Sequence, residues 1–261
     1  MRELLPSAAE LGLAALEHRA STYSTMDDAH AAAAAGAQAG TLIVADTQAQ
    51  GRGRGGRVWE SAERAGLWMT LLERPRDSAM LGVLALRVGM AVATALDPFV
   101  ASPVRVKWPN DLFVGDGKLA GTLIEARWRE SLVDWVAIGV GVNMRVPTGM
   151  PDAATVRRGV TRADLLRVMI PAMRAAAQRN GVLTDGEIAH WRERDLAVGR
   201  RITAPLSGEV MGIGADGALL VREVGASSST VVRAGSLVFA DAVAGANADA
   251  TSEADVDPPN S

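Results

Sequence analysis

The densest group of residues able to do chemistry is the run Gly51-Arg52-Gly53-Arg54-Gly55-Gly56-Arg57-Val58-Trp59. Its four glycines allow positive φ and a close approach of the backbone to a ligand. Its three arginines supply planar, permanently charged donors that suit carboxylate and phosphate groups. The run therefore predicts an anion-binding loop that ends in an aromatic side chain.

Two other interpretations of this run have to be weighed. It can be a flexible surface loop whose charges are solvated. It also matches the dinucleotide-binding spacing G-x-G-x-x-G at Gly51, Gly53 and Gly56. That fingerprint requires its first glycine to end a strand and its last to open a helix. Residues 47–50 intervene before the run, and residues 67–72 have the composition of another strand, so the dinucleotide interpretation is disfavoured.

The only two lysines form a second candidate group. Of the 27 basic residues, 25 are arginine and two, Lys107 and Lys118, are lysine. A compact, mobile ammonium differs chemically from a flat guanidinium, so retention of lysine here indicates function. The alternative is that two lysines remain by chance, in which case they could lie anywhere in the chain. Asp111 follows Lys107 in a predicted polar turn and is a candidate Mg²⁺ ligand, because Mg²⁺ prefers one or two carboxylates with phosphate oxygens and water. The alternative is a turn-forming aspartate.

Composition limits the remaining chemistry. The chain has 261 residues, is 48% hydrophobic and carries a formal net charge of -3. This predicts a soluble globular protein with one large and one small domain, and it argues against nucleic-acid binding as the main function. The absence of cysteine excludes disulfides and thiolate catalysis. His18, His30 and His190 lack metalloprotease spacing. The remaining inventory suits a carboxylate attacking a nucleoside triphosphate.

Hydrophobic periodicity predicts the elements that position these residues. Helices are predicted at 8–18, 24–39, 78–96, 161–179 and 185–195, and strands at 41–45, 67–72, 104–108, 118–126 and 132–142. Thr25 with Asp28 and Thr161 with Asp164 have capping-box spacing, and Pro171 predicts a kink or an early helix end. Glycines at 121, 139 and 141, inside predicted strands, indicate either a ligand lying close to the sheet or close helix packing.

The rest of the chain predicts a small second domain and a tail. Residues 200–239 change to short strands with turns, typical of a small barrel or sandwich. The Ala-, Asp- and Pro-rich tail from about residue 241 is expected to be disordered. The apolar run 80–96 is interrupted by Arg87 and is short for a bilayer, so we expect a buried helix. No secretion signal is recognised at the start, and a cytoplasmic location is the default expectation.

Taken together, these motifs resemble the biotin protein ligases, which adenylate biotin and attach it to carrier proteins. Four blocks within residues 21–143 carry the resemblance: Ser24-Thr25; Gln48 with the run 51–59; Lys107-Trp108-Pro109-Asn110-Asp111; and Lys118-Leu119-Ala120-Gly121 with Gly139-Val140-Gly141-Val142-Asn143. Two departures are Met26, where the family usually has asparagine, and Gly55, which replaces a common arginine. Gly212-Ile213 and residues 216–221 are similar to the family's small SH3-like domain.

The resemblance implies an α+β fold with a mixed or antiparallel central sheet, flanking helices in a class II synthetase-like catalytic domain, and a small C-terminal SH3-like β-barrel. The expected division is a short segment at 1–20, a catalytic biotin- and ATP-binding domain at 21–197, the SH3-like domain at 198–240 and a tail at 241–261. The implied reaction forms biotinyl-5'-AMP from biotin and MgATP and then transfers biotin to a lysine of a biotin carboxyl carrier protein domain. A homodimer is suspected from the family.

By motif position, the resemblance also implies residue roles. Biotin binding falls to Ser24, Thr25, Gln48, Gly51, Arg52, Arg54, Lys118, Gly121 and Gly139. ATP or adenylate binding falls to Arg57, Trp59, Lys107, Asn110 and Asn143. Catalysis falls to Lys118, Arg52, Arg54 and Lys107, and Mg²⁺ binding to Asp111.

Other functions stay open beside this one. They are a lipoate or octanoyl transferase of related fold, and a non-enzymatic protein that binds anions or nucleic acid. The residues ahead of Ser21 are too few for a helix-turn-helix domain. Neither specific DNA binding nor repression is therefore expected.

Overall fold

The computed structural model describes residues 4–75 and 77–241. The helices in these ranges are α1 (Thr25–Ala34), α2 (Leu81–Leu96), α3 (Arg162–Ala177) and α4 (Asp185–Arg194). The strands are β1 (Ala15–Arg19), β2 (Thr41–Ala45), β3 (Gly66–Glu73), β4 (Arg105–Lys107), β5 (Asp111–Val114), β6 (Gly117–Arg129), β7 (Leu132–Asn143), β8 (Arg201–Ala204), β9 (Gly208–Ile213), β10 (Leu219–Arg222), β11 (Thr230–Val232) and β12 (Val238–Phe239).

A seven-stranded mixed sheet forms the centre of the fold, in the order β1-β2-β3-β7-β6-β5-β4. Strands β1 and β2 are parallel, and every other neighbouring pair in this sheet is antiparallel. The two longest strands, β6 and β7, form a hairpin in which Gly121 lies opposite Gly141. The mixed sheet with flanking helices confirms the predicted α+β class.

The two faces of this sheet are covered differently. Consecutive residues of a strand point to opposite faces. In β7, Ile138 and Val140 join the main apolar core, together with residues of α2 and α3. Ala137 instead joins a small cluster with Met26 and Ala29 of α1. The face that carries α1 therefore also carries Gly139 and Gly141, and this is the face on which the sequence predicts a ligand.

Helix α2 is a core helix, as predicted. The segment Ser78–Phe99 is long enough to cross a membrane and contains an 18-residue window with a mean hydropathy of 1.9, but 61% of that window is buried inside the fold. Its charged residue, Arg87, is only 2% exposed and pairs with Glu187 of α4 at 2.8 Å. Arg87 also donates to backbone carbonyls of residues 179–182. A buried cation with this many acceptors belongs to a protein interior.

The predicted helix at 8–18 is wrong. Residues 8–12 form turns, and residues 15–19 form strand β1 at the edge of the sheet. Register with β2, such as His18 opposite Val44, outweighs the helical preference of this alanine- and leucine-rich stretch. The next helix is also shorter than predicted, since α1 ends at Ala34 and Gly36 follows with φ of 94°.

Helix capping is predicted correctly at α3 and incorrectly at α1. The Thr161–Asp164 capping box is present at the start of α3, and the helix continues through Pro171 to Ala177 without the early end. At α1 the N-cap is Ser24, whose side chain accepts from the Met26 N–H, in place of a Thr25–Asp28 box. The Thr25 hydroxyl is thereby left for other contacts.

The predicted small β domain is a five-stranded antiparallel sheet in the order β11-β10-β9-β8-β12. It packs against the larger sheet, and Trp108 Nε1 donates to Gly217 O at 3.0 Å. Its SH3-like character stays a prediction. Most of the predicted tail, residues 242–261, lies outside the described residues.

Candidate functional site

A cavity of about 180 Å³ lies on the α1 face of the central sheet. Glycine-rich strands form its floor, and the loop 51–59 covers one side. The predicted site residues that line it are Ser24, Thr25, Gln48, Arg52, Arg54, Arg57, Trp59, Asn110, Asp111, Lys118, Gly121, Gly139 and Asn143. Gly51 and Lys107 do not line it. The four sequence blocks therefore meet at one place.

Loop 51–59 is a small hairpin. Trp59 N donates to Gly51 O at 2.7 Å, and Gly53 N donates to Arg57 O at 2.8 Å. A Cβ on Gly51 would lie 2.3 Å from Trp59 O, so no other residue fits there without opening the hairpin. Gly51, for which biotin binding stays a prediction, lets the two arms of the hairpin come together.

Uncharged hydrogen-bonding groups line the end of the cavity next to α1. Gln48 Oε1 accepts from Thr25 N at 2.8 Å, and Gln48 Nε2 donates to Ser61 Oγ at 2.7 Å. The Thr25 hydroxyl lies 2.9 Å from the Thr70 hydroxyl. These bonds fix the Gln48 amide and leave a polar but neutral wall. Ser61 and Thr70 were missed because isolated hydroxyl residues in or beside a strand carry no motif.

The glycine floor is occupied by side chains of the chain itself. A Cβ on Gly141 would lie 2.6 Å from Trp59 Nε1, and one on Gly121 would lie 3.0 Å from Trp59 Cζ3. A Cβ on Gly139 would lie 2.7 Å from Met26 Cε. Among the described residues, the buried Trp59 Nε1 has no hydrogen-bond partner. The indole of Trp59 thus lies flat against the glycines with an unused donor.

Positive charge is concentrated at the opposite end of the cavity. Lys118 Nζ lies 2.7 Å from Asp111 Oδ1 and 4.9 Å from the centroid of the Trp59 ring. Arg54 Nη1 donates to Asn110 Oδ1 at 3.3 Å and to Gly235 O at 3.2 Å. Burial lowers the pKa of Arg54, and the nearby Asp111 carboxylate only partly offsets this.

The C-terminal sheet contributes to this cationic end. Lys107 pairs in register with Asp111, and its Nζ lies 4.9 Å from the ring of Phe239. Burial lowers the pKa of Lys107; Asp111 raises it in part, and the nearby cations, Lys118 first, lower it further. Arg57 Nη2 donates to Ser236 Oγ at 2.8 Å. Several cations therefore surround one carboxylate at the junction of the two sheets.

The two asparagines predicted to bind nucleotide bond to backbone oxygens. Asn143 Nδ2 donates to Lys118 O at 3.1 Å, which fixes the start of β6. Asn110 Nδ2 donates to Thr122 O at 2.6 Å. Both amides hold the strand that carries Lys118, and the Asn110 oxygen also accepts from Arg54.

Comparison with known proteins agrees with this arrangement. The family described as the biotin/lipoate A/B protein ligase family matches residues 20–143. A biotin--[acetyl-CoA-carboxylase] ligase of Mycobacterium tuberculosis is 34% identical over 211 residues, which cover 76% of this chain and 77% of that protein. The chain belongs to the biotin protein ligase family. Its fold is also that of the biotin protein ligase from Aquifex aeolicus in complex with biotin and ATP, with a TM-score of 0.71 at 23% identity.

That structural match covers 85% of this chain and 97% of the Aquifex ligase. The bifunctional ligase/repressor BirA of Bacillus subtilis is 39% identical over 134 residues, or 49% of this chain. Those residues are 40% of the Bacillus protein, so this ligase-family chain matches less than half of that relative's length.

Proposed function

We propose that the protein is an ATP-dependent biotin protein ligase, a biotin–[biotin carboxyl carrier protein] ligase. The observation that supports it best is the polarity of the cavity: a neutral hydrogen-bonding end at Thr25 and Gln48, and a cationic end around Asp111. One end suits an uncharged ureido ring and the other suits a carboxylate and phosphates.

In the first proposed step, a biotin carboxylate oxygen attacks the α-phosphorus of ATP. The bond between the α-phosphorus and the bridging oxygen breaks, and pyrophosphate leaves. Positioning and neutralisation supply most of the catalysis in such a reaction. Lys118 would stabilise negative charge at the acyl-phosphate junction, while Arg54, Arg57 and Lys107 would hold the phosphates. Trp59 and Asn143 would hold the adenine.

Asp111 would hold Mg²⁺. The Asn110 oxygen accepts from Arg54, and Asp111 Oδ1 pairs with Lys118, so the second Asp111 oxygen would be the protein ligand of an ion that takes most of its ligands from substrate phosphates and water. Residues 4–75 and 77–241 contain no group of three or more His, Asp or Glu side chains that could form a separate metal site. When bound, Mg²⁺ would neutralise part of the triphosphate charge.

In the second proposed step, the amine of a carrier-domain lysine attacks the acyl carbon of biotinyl-5'-AMP. AMP leaves, and the amine proton passes to solvent. The acceptor would be the carrier domain of a biotin-dependent carboxylase. We also propose the division into a catalytic domain at 21–197 and an SH3-like domain at 198–240, and a homodimer.

Pyrophosphate exchange into ATP, measured with and without biotin, tests the first step. We expect exchange that depends on biotin and Mg²⁺ and that is not supported by lipoate or octanoate. Transfer of labelled biotin to a purified carrier domain tests the second step. Exchange with lipoate but not biotin would favour the related transferase, and exchange with none of these acids would overturn the assignment to this enzyme class.

A further inference from the structure

Arg52 is bound by two carboxylates. Its Nη1 donates to Asp27 Oδ1 at 2.5 Å, and its Nη2 donates to Glu125 Oε1 at 2.6 Å. Asp27 lies in the first turn of α1, and Glu125 lies on β6. Because Arg52 belongs to hairpin 51–59, the two ion pairs join this hairpin to helix α1 and to strand β6 of the central sheet.

Glu125 is itself fixed on both oxygens. Its Oε2 lies 3.0 Å from His30 Nε2, and His30 Nδ1 lies 2.9 Å from Trp135 Nε1. An indole N–H can only donate, so Nδ1 of His30 must accept, and Nε2 must carry the proton donated to Glu125. The His30 side chain is 10% exposed. The Glu125 carboxylate therefore cannot turn away from Arg52 without losing a second, more buried bond.

The charges around Arg52 differ from those around the other loop arginines. One cation between two carboxylates carries a local net charge of -1, so it attracts a further anion poorly. Arg54 and Arg57 instead bond to carbonyl, amide and hydroxyl oxygens, and the one carboxylate near Arg54, Asp111, is shared with Lys107 and Lys118, so cations are in excess there. Arg52 is therefore suited to joining elements and not to binding a phosphate.

We propose that Asp27 and Glu125 are positioning residues for the ligase reaction. They hold Arg52, and through it hairpin 51–59, across the biotin-binding end of the cavity, and this inference rests on the proposed function. Glu125 contributes more than Asp27, because its side chain is 21% exposed and that of Asp27 is 54% exposed. Loss of either carboxylate loosens the hairpin and speeds the escape of biotin.

Isosteric variants test this role without removing volume. We expect Glu125→Gln to weaken biotin binding about fivefold and Asp27→Asn about twofold, because ion pairs at these exposures contribute up to about 1 kcal/mol. Arg52→Met should weaken biotin binding about as much as the double variant that combines Glu125→Gln with Asp27→Asn. Adding Arg52→Met to this double variant should have little further effect. Calorimetry gives the biotin Kd, and pyrophosphate exchange gives the KM for ATP, which should change less than about twofold.

The matched control is Glu10→Gln. Glu10 is an exposed carboxylate whose Oε1 lies 3.8 Å from Arg167 Nη2, and neither residue lines the cavity. This variant should leave both constants unchanged.

A different result follows if Arg52 binds phosphate directly. Removing both carboxylates would then free its charge and lower the KM for ATP, while Arg52→Met would raise it in every background. That result would overturn the positioning role. So would losses of biotin affinity that add when Arg52→Met is combined with the variants of Asp27 and Glu125. Normal exchange and unchanged affinity in all variants would overturn this inference alone. Absence of exchange in the unmodified protein would overturn the proposed function.

Discussion

Replacing Lys118 by arginine preserves the charge but changes its shape, and it tests the cationic end of the cavity most directly. Lys118 Nζ lies between Asp111 Oδ1, at 2.7 Å, and the Trp59 ring, whose centroid is 4.9 Å away. A compact ammonium fits between these groups. A planar guanidinium is wider and directs its donors in a fixed fork, so it must displace the indole or the carboxylate.

The size of the effect follows from the proposed role. Loss of one preorganised donor to developing charge costs about 10²–10³ in rate. Lys118→Met should therefore reduce adenylate formation about 10³-fold, and Lys118→Arg, which keeps the charge, about 10²-fold. The Lys118 and Asp111 side chains are 35% and 28% exposed, so the ion pair contributes less than about 1 kcal/mol to folding. The melting temperature should therefore change little.

Biotin-dependent pyrophosphate exchange measures the first step, and single-turnover transfer from synthetic biotinyl-5'-AMP measures the second. We expect the loss in Lys118→Arg to appear mainly in exchange. The control is Arg167→Lys, which also replaces one of these two basic residue types by the other, but on an exposed face of α3. If Lys118→Arg catalyses pyrophosphate exchange within about twofold of the unmodified rate, the argument that this position requires a compact ammonium is wrong.

Three further outcomes are expected. Arg87→Met should destabilise the fold by about 3–5 kcal/mol, measured by urea unfolding, because the buried Glu187 carboxylate loses its nearest cation and the carbonyls of residues 179–182 lose a shared donor. Gly141→Ala should displace Trp59 and raise the KM for ATP about tenfold, the scale of base-aromatic stacking. Because burial lowers the pKa of Lys107, activity that needs its ammonium should fall at a lower pH than that of an ordinary lysine, and Lys107→Arg should move this alkaline limb upward.

Control variants and contradicting outcomes test these three expectations. Arg167→Met removes an exposed cation and should change stability by less than about 0.5 kcal/mol. Gly89→Ala lies within α2, where the nearest atom to the added Cβ is at 3.9 Å, and should leave the KM for ATP unchanged. Equal effects of Arg87→Met and Arg167→Met would contradict the buried ion-pair argument. An alkaline limb that is identical in Lys107→Arg would show that another group titrates.

Local pattern was enough to predict most of the central fold. The structure agrees with the predicted strands at 41–45 and 67–72 and with the core helix that ends at residue 96. Each of these segments has its apolar pattern in consecutive residues, so local sequence is enough to predict it. The predicted helix at 8–18 failed for the opposite reason. Strand β1 exists through its pairing with β2, more than 20 residues later in the chain, and no local preference encodes that partner.

The site shows the same division between local and distant information. The four motif blocks meet at one cavity, as their resemblance to the ligases implied. What the sequence did not indicate is which partner each arginine takes. Arg52 reaches Glu125, which is 73 residues away, and Arg57 reaches Ser236, which is 179 residues away. The first contact depends on how the hairpin lies on the central sheet, and the second depends on how the C-terminal sheet packs against it.

The partners of the three loop arginines also bear on how the two substrates would lie. Arg52 is neutralised by carboxylates at the α1 end, whereas Arg54 and Arg57 are held by uncharged oxygens of the C-terminal sheet. A cation held by uncharged oxygens keeps its attraction for an anion, and one held by carboxylates does not. Under the proposed function, the triphosphate would therefore lie toward Gly235 and the biotin ring toward Thr25, with the reacting carboxylate between them near Lys118.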